Sequence, residues 1–517
     1  MTSVAGTAVR SATATEGAAV EPRLARDLLV LVAAFLPALG AAVLKVFVHP
    51  RPFWVYFYDP ETFYFHDGLR LLSGHAPLDF TNPGTPLQIV SAVIAASTGT
   101  SPDDFDRFRV TAYCVAWAMQ LVAGWGLLRT VLAKLPAPLS IAALATYFVC
   151  PQTLEYQTVW SPEVWFLPAG ALAIVAIWRA LNRSFDGRSA FAAGAAVGLA
   201  CALKLVFLPW VPALALTAWL RSRRPGRLRA AGLCMAGLAV AFLVFTLPAA
   251  ANYPQMTSWI GRMATRSGAY GETQRLVPDA AALMSTAYSL LTAAKGWYGC
   301  VLLAAIGAVV AIRHARGTSQ GRQLSGLGLF AATAFVGQQL MVLRTPSLRY
   351  VIPAGLCGVL LAAIAARVPA VQHHQSAQWV ALLVVGLLAG KHFAGDLATH
   401  QRRIREASAT RTELLTAVRA ATPEAHPVVV FGHRAPIPSL ALRYFSTDPV
   451  FLGKVESRYP GEGHLGPGDR LFLPSDARHW DVLVLTPGNL HQWAGAPRAQ
   501  AVAHVGGFDV LVPGDGS

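Results

Sequence analysis

The chain has 517 residues, of which 54% are hydrophobic and only 13% are charged. Soluble domains carry about 25% charged residues, so this composition leaves too little polar surface to cover a water-soluble globule. The apolar residues fall in blocks of about 15–22, the length that crosses a bilayer, which excludes a soluble enzyme, a disordered chain and a single-pass receptor.

The net charge of +15 comes from 42 Lys and Arg against 27 Asp and Glu. Basic residues accumulate in the cytoplasmic loops of membrane proteins, and no basic stripe here is interleaved with aromatics that could stack on bases. We therefore expect no nucleic-acid partner. The six cysteines show no CxxC or Cys/His spacing, so neither a disulfide framework nor a zinc site is predicted.

Residues 1–26 are rich in Ala, Thr and Ser and are predicted to form a disordered cytoplasmic N-terminus. The first apolar block, 28–48, is too long for the core of a signal peptide and lacks a cleavage site, so it is predicted to remain as a membrane helix. Eleven further apolar segments follow at 85–99, 110–128, 138–153, 163–179, 189–204, 206–220, 230–250, 297–312, 323–343, 350–366 and 377–395.

Basic clusters predict the topology. They follow the segments that end at 128, 179, 220, 312 and 366, and an even number of spans separates each consecutive pair. With the N-terminus in the cytoplasm, 85–99 and 110–128 together make one net crossing. Either 85–99 is re-entrant or interfacial, or a basic loop is misplaced. We predict about 11–12 transmembrane helices in a bacterial-type inner membrane, with the first loop, 49–88, on the periplasmic or extracellular face.

The composition changes near residue 398. Residues 401–421, QRRIREASATRTELLTAVRAA, have the charge of a soluble amphipathic helix, and short β-rich runs follow at 427–432, 481–487 and 508–513. The chain is therefore predicted to be an all-α polytopic membrane bundle over 27–397 with a small extracytoplasmic α/β domain over 398–517.

The first outside loop holds the most informative polar residues. Asp59, Glu61 and His66 lie there among aromatic side chains beside the membrane. Carboxylates next to apolar surface tend to have raised pKa values and can serve as general bases. The alternative is an aromatic belt in which Asp59 caps a helix that has Pro60 at its first position. Spacing alone leaves both interpretations open.

Several motifs follow one another in order: the acidic pair after the first membrane helix, LLSGHAP (71–77), PGTPLQ (83–88), WSPE (160–163), GLACALKLVFLPW (198–210) and LRYVIPA (348–354). In their order, and in their predicted location on one side of the membrane, they resemble the motifs of the GT-C superfamily of integral-membrane glycosyltransferases. That superfamily includes protein mannosyltransferase-like and aminoarabinose-transferase-like enzymes. The resemblance covers roughly residues 27–366. Two features depart from it: Pro60 separates the two acids, and Asn82 stands where a histidine is expected.

The resemblance implies an inverting transfer of a sugar from a polyprenyl-phosphate donor to an extracytoplasmic acceptor, which is a cell-envelope glycan, a lipid or a protein. Asp59 or Glu61 would be the general base. Lys204 and Arg349 would neutralise the leaving phosphate, because cations near a membrane face are costly and usually functional. The remaining candidates for substrate binding are His66, Gln88, Glu163 and Tyr350. Structural alternatives are a snorkelling Lys204 and a helix-dipole role for Glu163.

No cofactor is required by this chemistry, and although acids near a phosphate would accommodate a divalent metal, no residue pattern indicates one. The expected partners are the polyprenyl-phosphate sugar, membrane lipid and the acceptor. The main alternative is a transporter or flippase of a lipid-linked or small substrate, which would favour internal repeats and broken helices at the midplane. A scaffold with a partner-binding tail would leave the acidic first loop unexplained. An oligosaccharide polymerase or ligase commonly concentrates its function in a large late outside loop, whereas here the early loop is the richer one.

Overall fold

The structure, a computed structural model, describes residues 5–50, 61–78, 84–101, 105–268, 276 and 278–421, and beyond them six strands. The α-helices within these residues are, in chain order, α1 (Ala5–Val43), α2 (Glu61–Leu72), α3 (Thr85–Thr98), α4 (Phe105–Leu128), α5 (Ala137–Val149), α6 (Phe166–Asn182), α7 (Gly187–Leu203), α8 (Trp210–Arg221), α9 (Arg227–Thr246), α10 (Tyr253–Thr265), α11 (Ala280–His314), α12 (Ser319–Arg344), α13 (Ile352–Ala365), α14 (Pro369–His373) and α15 (Gln375–Ala421). Short turns connect them: a π-helical turn at Leu44–Val48 and 3-10 turns at Glu155–Thr158, Pro162–Trp165, Leu205–Phe207, Arg224–Gly226, Leu247–Asn252 and Leu348–Val351.

Eight helical segments in the described part of the chain are long and apolar enough to cross a membrane, by length and composition. They are Arg23–Val48, Arg107–Leu128, Pro162–Asn182, Arg224–Thr265, Ala280–His314, Ser319–Arg344, Leu348–Ala365 and Gln375–Ala420. Four shorter apolar helices accompany them: Thr85–Thr98, Ala137–Val149, Gly187–Leu203 and Leu205–Arg221. Every apolar segment predicted from the sequence coincides with one of these helices, so the polytopic membrane bundle is confirmed.

Some boundaries differ from the sequence-based expectation. α1 begins at Ala5, within the terminus that was predicted to be disordered. The stretch between the predicted apolar segments 230–250 and 297–312 contains α10, and α11 begins at Ala280 rather than at 297. Polar residues at the start of α11 lower the hydropathy of residues 280–296 but do not interrupt the helix. A kink marks the junction, since Ala294 has φ −125° and ψ 19°.

The last helix is also longer than predicted. The membrane segment 377–395 and the amphipathic segment after 398 form one continuous helix, α15, of 47 residues. No proline interrupts residues 375–421, so nothing in this stretch removes a backbone hydrogen bond or forces a break. The predicted boundary between bundle and C-terminal domain therefore falls inside a helix.

The helices pack most tightly where glycines allow backbones to meet. A Cβ added to Gly198 of α7 would lie 2.3 Å from the carbonyl oxygen of Leu238 in α9. A Cβ on Gly237 of α9 would lie 2.2 Å from the carbonyl oxygen of Phe191. Small residues at both contacts let the two helices approach closely, as they commonly do in membranes. This packing fixes α7, whose C-terminal end leads directly to Lys204.

A mixed sheet follows the bundle. Its strands are β1 (Val429–Phe431), β2 (Glu462–Leu465), β3 (Leu471–Phe472), β4 (Val482–Leu485), β5 (Ala499–Val505) and β6 (Phe508–Pro513). In the sheet they have the order β3-β2-β1-β4-β6-β5. The central strand β1 pairs in parallel with β2 and β4, and the other pairs are antiparallel. The three predicted β-rich runs correspond to β1, β4 and β6. Leu414 and Val418 of α15 pack against Val510, so the helix and the sheet together form the small α/β unit.

Candidate active site

The segment between α5 and α6 is the centre of the candidate site. It contains the 3-10 turns Glu155–Thr158 and Pro162–Trp165, and its residue Gln152 has a positive φ of 61°. Prolines at 151 and 162 prevent α5 from continuing into α6. The segment therefore places polar backbone and side-chain atoms between the helices. Two groups of predicted site residues contact it, one around Glu61 and one around Lys204.

Glu61 belongs to the first of these groups. It is the first residue of α2 and is 1% exposed. Its Oε1 accepts a hydrogen bond from the Tyr113 hydroxyl at 2.6 Å and another from the backbone N–H of Trp160 at 2.5 Å. The Thr158 carbonyl oxygen lies 2.7 Å from the same hydroxyl, so the single Tyr113 proton is shared between the two acceptors. The carboxylate thus joins α2, α4 and the central segment. Asp59, the other predicted base, lies outside the described residues.

Gln88 and His66 lie in the pair formed by α2 and α3. The Gln88 side-chain amide donates to Asp67 Oδ2 at 2.9 Å, and Asp67 Oδ1 accepts from the backbone N–H of Leu78 at 2.7 Å. His66, Asp67 and Gln88 are all buried. The described contacts of Gln88 hold the two helices together, and the role of both residues in substrate binding stays a prediction.

The second group forms around Lys204. Lys204 follows the last residue of α7 with an extended backbone, and its ammonium forms an ion pair with Glu163 of the central segment. Both side chains are buried. The Lys204 Nζ lies 5.6 Å from the centre of the Tyr350 ring, and the Arg349 Cζ lies 5.3 Å from the same centre. Two cations therefore lie close to one aromatic ring, and the ring quadrupole attracts cations placed over it.

These groups carry an excess of positive charge. Among the described side chains of this cluster, Lys204 and Arg349 contribute two positive charges and Glu163 contributes one negative charge. In a largely dry environment such an excess attracts an anion strongly. Gln338 of α12 donates from its side-chain amide to the Tyr350 carbonyl at 2.7 Å, which holds the turn that carries Arg349 and Tyr350.

Tyr156 adds a hydroxyl to the same cluster. Burial raises the pKa of the Tyr156 hydroxyl, and the negative charge of Glu163 raises this pKa further. Arg349, which contacts the hydroxyl, acts in the opposite direction. The net effect keeps Tyr156 protonated, so the hydroxyl remains a neutral hydrogen-bond donor beside the two cations.

A cavity of about 490 Å³ opens beside Lys204 and Tyr350. It lies between α10, α12 and the residues that follow Lys204. Its wall is almost entirely apolar, with Leu205, Val206, Leu208, Pro209, Trp259, Ile260, Met263, Ala264, Leu340 and Met341 among the lining residues. Arg344 also lines the cavity. Its guanidinium donates to the carbonyls of Met263, Ala264 and Arg266 at 2.8, 2.6 and 2.9 Å. These hydrogen bonds hold the end of α10.

No set of three or more His, Cys, Asp or Glu side chains in the described part of the chain is grouped to hold a metal ion. The acids that the sequence places near the site have other partners here: Glu163 pairs with Lys204, and Glu61 accepts from Tyr113 and Trp160. That no cofactor is required stays a prediction.

Sequence reasoning missed one face of α4. Tyr113, Trp117 and Gln120 are spaced four and three residues apart and lie on one side of the helix. The Trp117 Nε1 donates to the Gln157 carbonyl at 2.9 Å, and the Gln120 amide donates to the Val164 carbonyl at 3.0 Å. Together with Tyr113 they hold the central segment against α4. A polar glutamine in the middle of an apolar segment was the available signal.

No protein-family model matches the chain, and no curated protein sequence matches it. Among solved structures, the chain is similar to the crystal structure of ArnT from Cupriavidus metallidurans bound to undecaprenyl phosphate. The two align with 13% sequence identity and a TM-score of 0.54 over 94% of this chain and 97% of that chain. The apo crystal structure of ArnT from the same organism aligns with 14% identity and a TM-score of 0.49, over 96% and 98% of the two chains. The first alignment shows a common fold over almost the whole length, which confirms the fold that the GT-C resemblance implies.

Proposed function

We propose that the chain is a membrane glycosyltransferase that moves a sugar from a polyprenyl-phosphate donor to an extracytoplasmic acceptor. The observation that carries this proposal is the cluster of Lys204, Glu163, Arg349 and Tyr350 beside a mostly apolar cavity. A donor of this class has an anionic phosphate joined to a long prenyl chain. The excess positive charge suits the phosphate, and the apolar wall suits the chain. The undecaprenyl phosphate bound to ArnT, a protein of the same fold, supports a ligand of this class.

The residues of the cluster fit the needs of the leaving group. As the acceptor oxygen or nitrogen attacks the anomeric carbon, the bond between that carbon and the phosphate oxygen breaks. The polyprenyl phosphate leaves with the bonding electrons. Lys204 and Arg349 would neutralise its growing negative charge, and Arg349 suits the phosphate through two parallel hydrogen bonds. The neutral Tyr156 hydroxyl would add a further hydrogen bond. Glu163 would keep Lys204 charged and oriented.

A general base has to take the proton of the acceptor. Glu61 Oε1 already accepts hydrogen bonds from the Tyr113 hydroxyl and the Trp160 backbone N–H, so this oxygen is engaged in holding the fold. The Glu61 carboxylate also joins three elements of the fold. We therefore infer that Glu61 orients the site and that Asp59 is the base. His66 and Gln88 remain candidates for contacts to the sugar.

The basic loops support a placement of the site and the C-terminal sheet on the periplasmic or extracellular face of the inner membrane, with the N-terminus in the cytoplasm. No step of the proposed reaction requires a metal or another cofactor. The acceptor would be a cell-envelope glycan, a lipid or a protein.

The test is transfer of radiolabelled sugar from polyprenyl-phosphate donors into membranes that contain the wild-type chain or a variant. We expect Asp59→Asn to abolish transfer and Glu61→Gln to weaken it. Glu406→Gln, an exposed acid on α15, is the matched control and is expected to behave as wild type. Wild-type transfer in both site variants would contradict the assigned site. Uptake of a substrate down a gradient, with no transfer from any donor, would favour a transporter instead.

A further inference from the structure

One face of α15 contacts the outer ends of the bundle. Asp396, His400 and Arg403 are spaced four and three residues apart, so their side chains project from the same side of the helix. The Asp396 carboxylate pairs with Lys45 at 2.5 Å, and His400 Nε2 lies 2.8 Å from the carbonyl oxygen of His49. Arg403 Nη1 donates to Glu155 Oε1 at 2.8 Å. These contacts reach both the end of the first membrane helix and the central segment of the candidate site.

Glu155 occupies a sensitive position in that segment. It begins the 3-10 turn Glu155–Thr158. The next residue, Tyr156, contacts Arg349, and Thr158 at the end of the turn accepts from Tyr113. A displacement of Glu155 would therefore move the Tyr156 hydroxyl relative to the cation that we assign to the phosphate.

We propose that Arg403 is a positioning residue of the glycosyl-transfer site, which acts through Glu155 on the turn that carries Tyr156. This inference rests on the proposed function. In the described part of the chain, Arg403 donates to Glu155, which is not one of the reacting groups that we assign. It contacts the turn through Glu155. The helix α15 is itself held by the contacts of Asp396 and His400, which precede Arg403 along the helix, and by the contact of Leu414 with the sheet, which follows it.

Because the Arg403–Glu155 pair is partly exposed, its role in positioning the turn can be tested separately from the overall stability of the chain. The side chains of Arg403 and Glu155 are 43% and 22% exposed. Ion pairs with this much solvent contact contribute little to overall stability. The loss of the pair should therefore loosen the turn locally and leave the bundle folded.

The first test needs no enzymatic activity. The full-length chain in nanodiscs is compared by amide hydrogen exchange as wild type, Arg403→Gln and Arg402→Gln. Arg402 is the matched control, because it lies on the same helix and pairs only at 3.8 Å with Glu406, with both side chains largely exposed. We expect exchange in residues 155–161 to be about three- to fivefold faster in Arg403→Gln, as loss of such a pair implies, and unchanged in Arg402→Gln. Equal exchange in all three proteins overturns the proposal, whatever the reaction turns out to be.

The second test uses the transfer assay. We expect Arg403→Gln to lower kcat about three- to fivefold with an unchanged melting temperature, Arg403→Lys to retain most of the rate, and Arg402→Gln to match wild type. The charge-swapped pair Glu155→Arg/Arg403→Glu should recover the rate that each single change loses, since a double-mutant cycle isolates the coupling. A rate that does not respond to Arg403→Gln, or a swap that recovers nothing, overturns the proposal. A wild-type chain that transfers no sugar counts against the proposed function, while the exchange result still decides the role of the Arg403–Glu155 pair in holding the turn.

Discussion

Lys204 and Glu163 come from distant parts of the chain and form an ion pair that is almost closed to solvent, with 5% and 2% of the two residues exposed. Removing two charges from water is costly, and a buried pair is rarely the most stable solution for a site. An apolar pair of similar size would hold the helices at least as well. The retention of charges beside an apolar cavity therefore points to a ligand that needs them.

Loss of one partner of this pair should be more harmful than loss of both. We expect Lys204→Met to lower the free energy of unfolding by about 1–3 kcal/mol, because the buried Glu163 carboxylate loses its hydrogen-bonded partner while Arg349 still balances its charge. The double variant Lys204→Met/Glu163→Gln should recover most of that stability but not the sugar transfer. Thermal unfolding in detergent and the transfer assay measure the two effects. Lys134→Met, at an exposed lysine, is the control, and a Lys204→Met chain with normal stability and transfer would contradict the assignment.

The Tyr113 hydroxyl should contribute to both stability and rate. In Tyr113→Phe, Glu61 Oε1 and the Thr158 carbonyl lose a common donor. We expect a loss of about 1–3 kcal/mol in stability, since buried acceptors are left with fewer hydrogen bonds, together with slower transfer. Tyr298→Phe removes a comparable hydroxyl, which donates to Gln339 Oε1 at 2.6 Å outside the site. If both substitutions slow transfer equally, Tyr113 has no special connection to the site.

The close approach of α7 and α9 predicts a contrast between two glycines. Gly198→Ala introduces a Cβ 2.3 Å from the Leu238 carbonyl oxygen, so the helices must separate. We expect this overpacking to lower stability by about 1–3 kcal/mol and to reduce transfer by displacing Lys204. Gly232→Ala, in α9, meets no atom within 4 Å and should leave stability unchanged or raise it through better helix propensity. Equal melting temperatures for the two variants would count against the described helix contact.

Filling the apolar cavity should affect the prenyl chain of the donor. In Ala264→Trp, an indole ring occupies part of the space beside Lys204. We expect KM to rise about tenfold or more for a long-chain donor, as loss of a few buried methylene contacts implies, and to change little for a donor with a short prenyl chain. Thr265→Trp is the matched control, because its exposed neighbouring position on α10 is not part of the cavity wall. An equal rise in KM for both donors would show that the cavity does not hold the chain.

The sequence predicts the bundle well because each membrane segment carries its own signal of apolar length. It also predicts the group around Lys204, since buried charges in membrane proteins are rare enough to be informative. The role of Tyr113 was not predictable, because a tyrosine in an apolar helix is ordinary until its partner on another element is known. The described contact of Gln88 with Asp67 was likewise not predictable, and its predicted role in substrate binding stays a prediction. Local composition shows that a polar side chain needs a partner, but only the folded chain shows which one.

The continuity of α15 has a geometric consequence. Arg403 and Leu414 are eleven positions apart, which is about three helical turns at 3.6 residues per turn, so both project from nearly the same side of the helix. Arg403 reaches Glu155 and Leu414 reaches the sheet. The sheet therefore contacts the side of α15 that also carries Arg403, about 16 Å further along the helix axis. Because α15 is continuous between the two contacts, the spacing between the sheet and the turn at Glu155 is set by a helix rather than by a flexible linker.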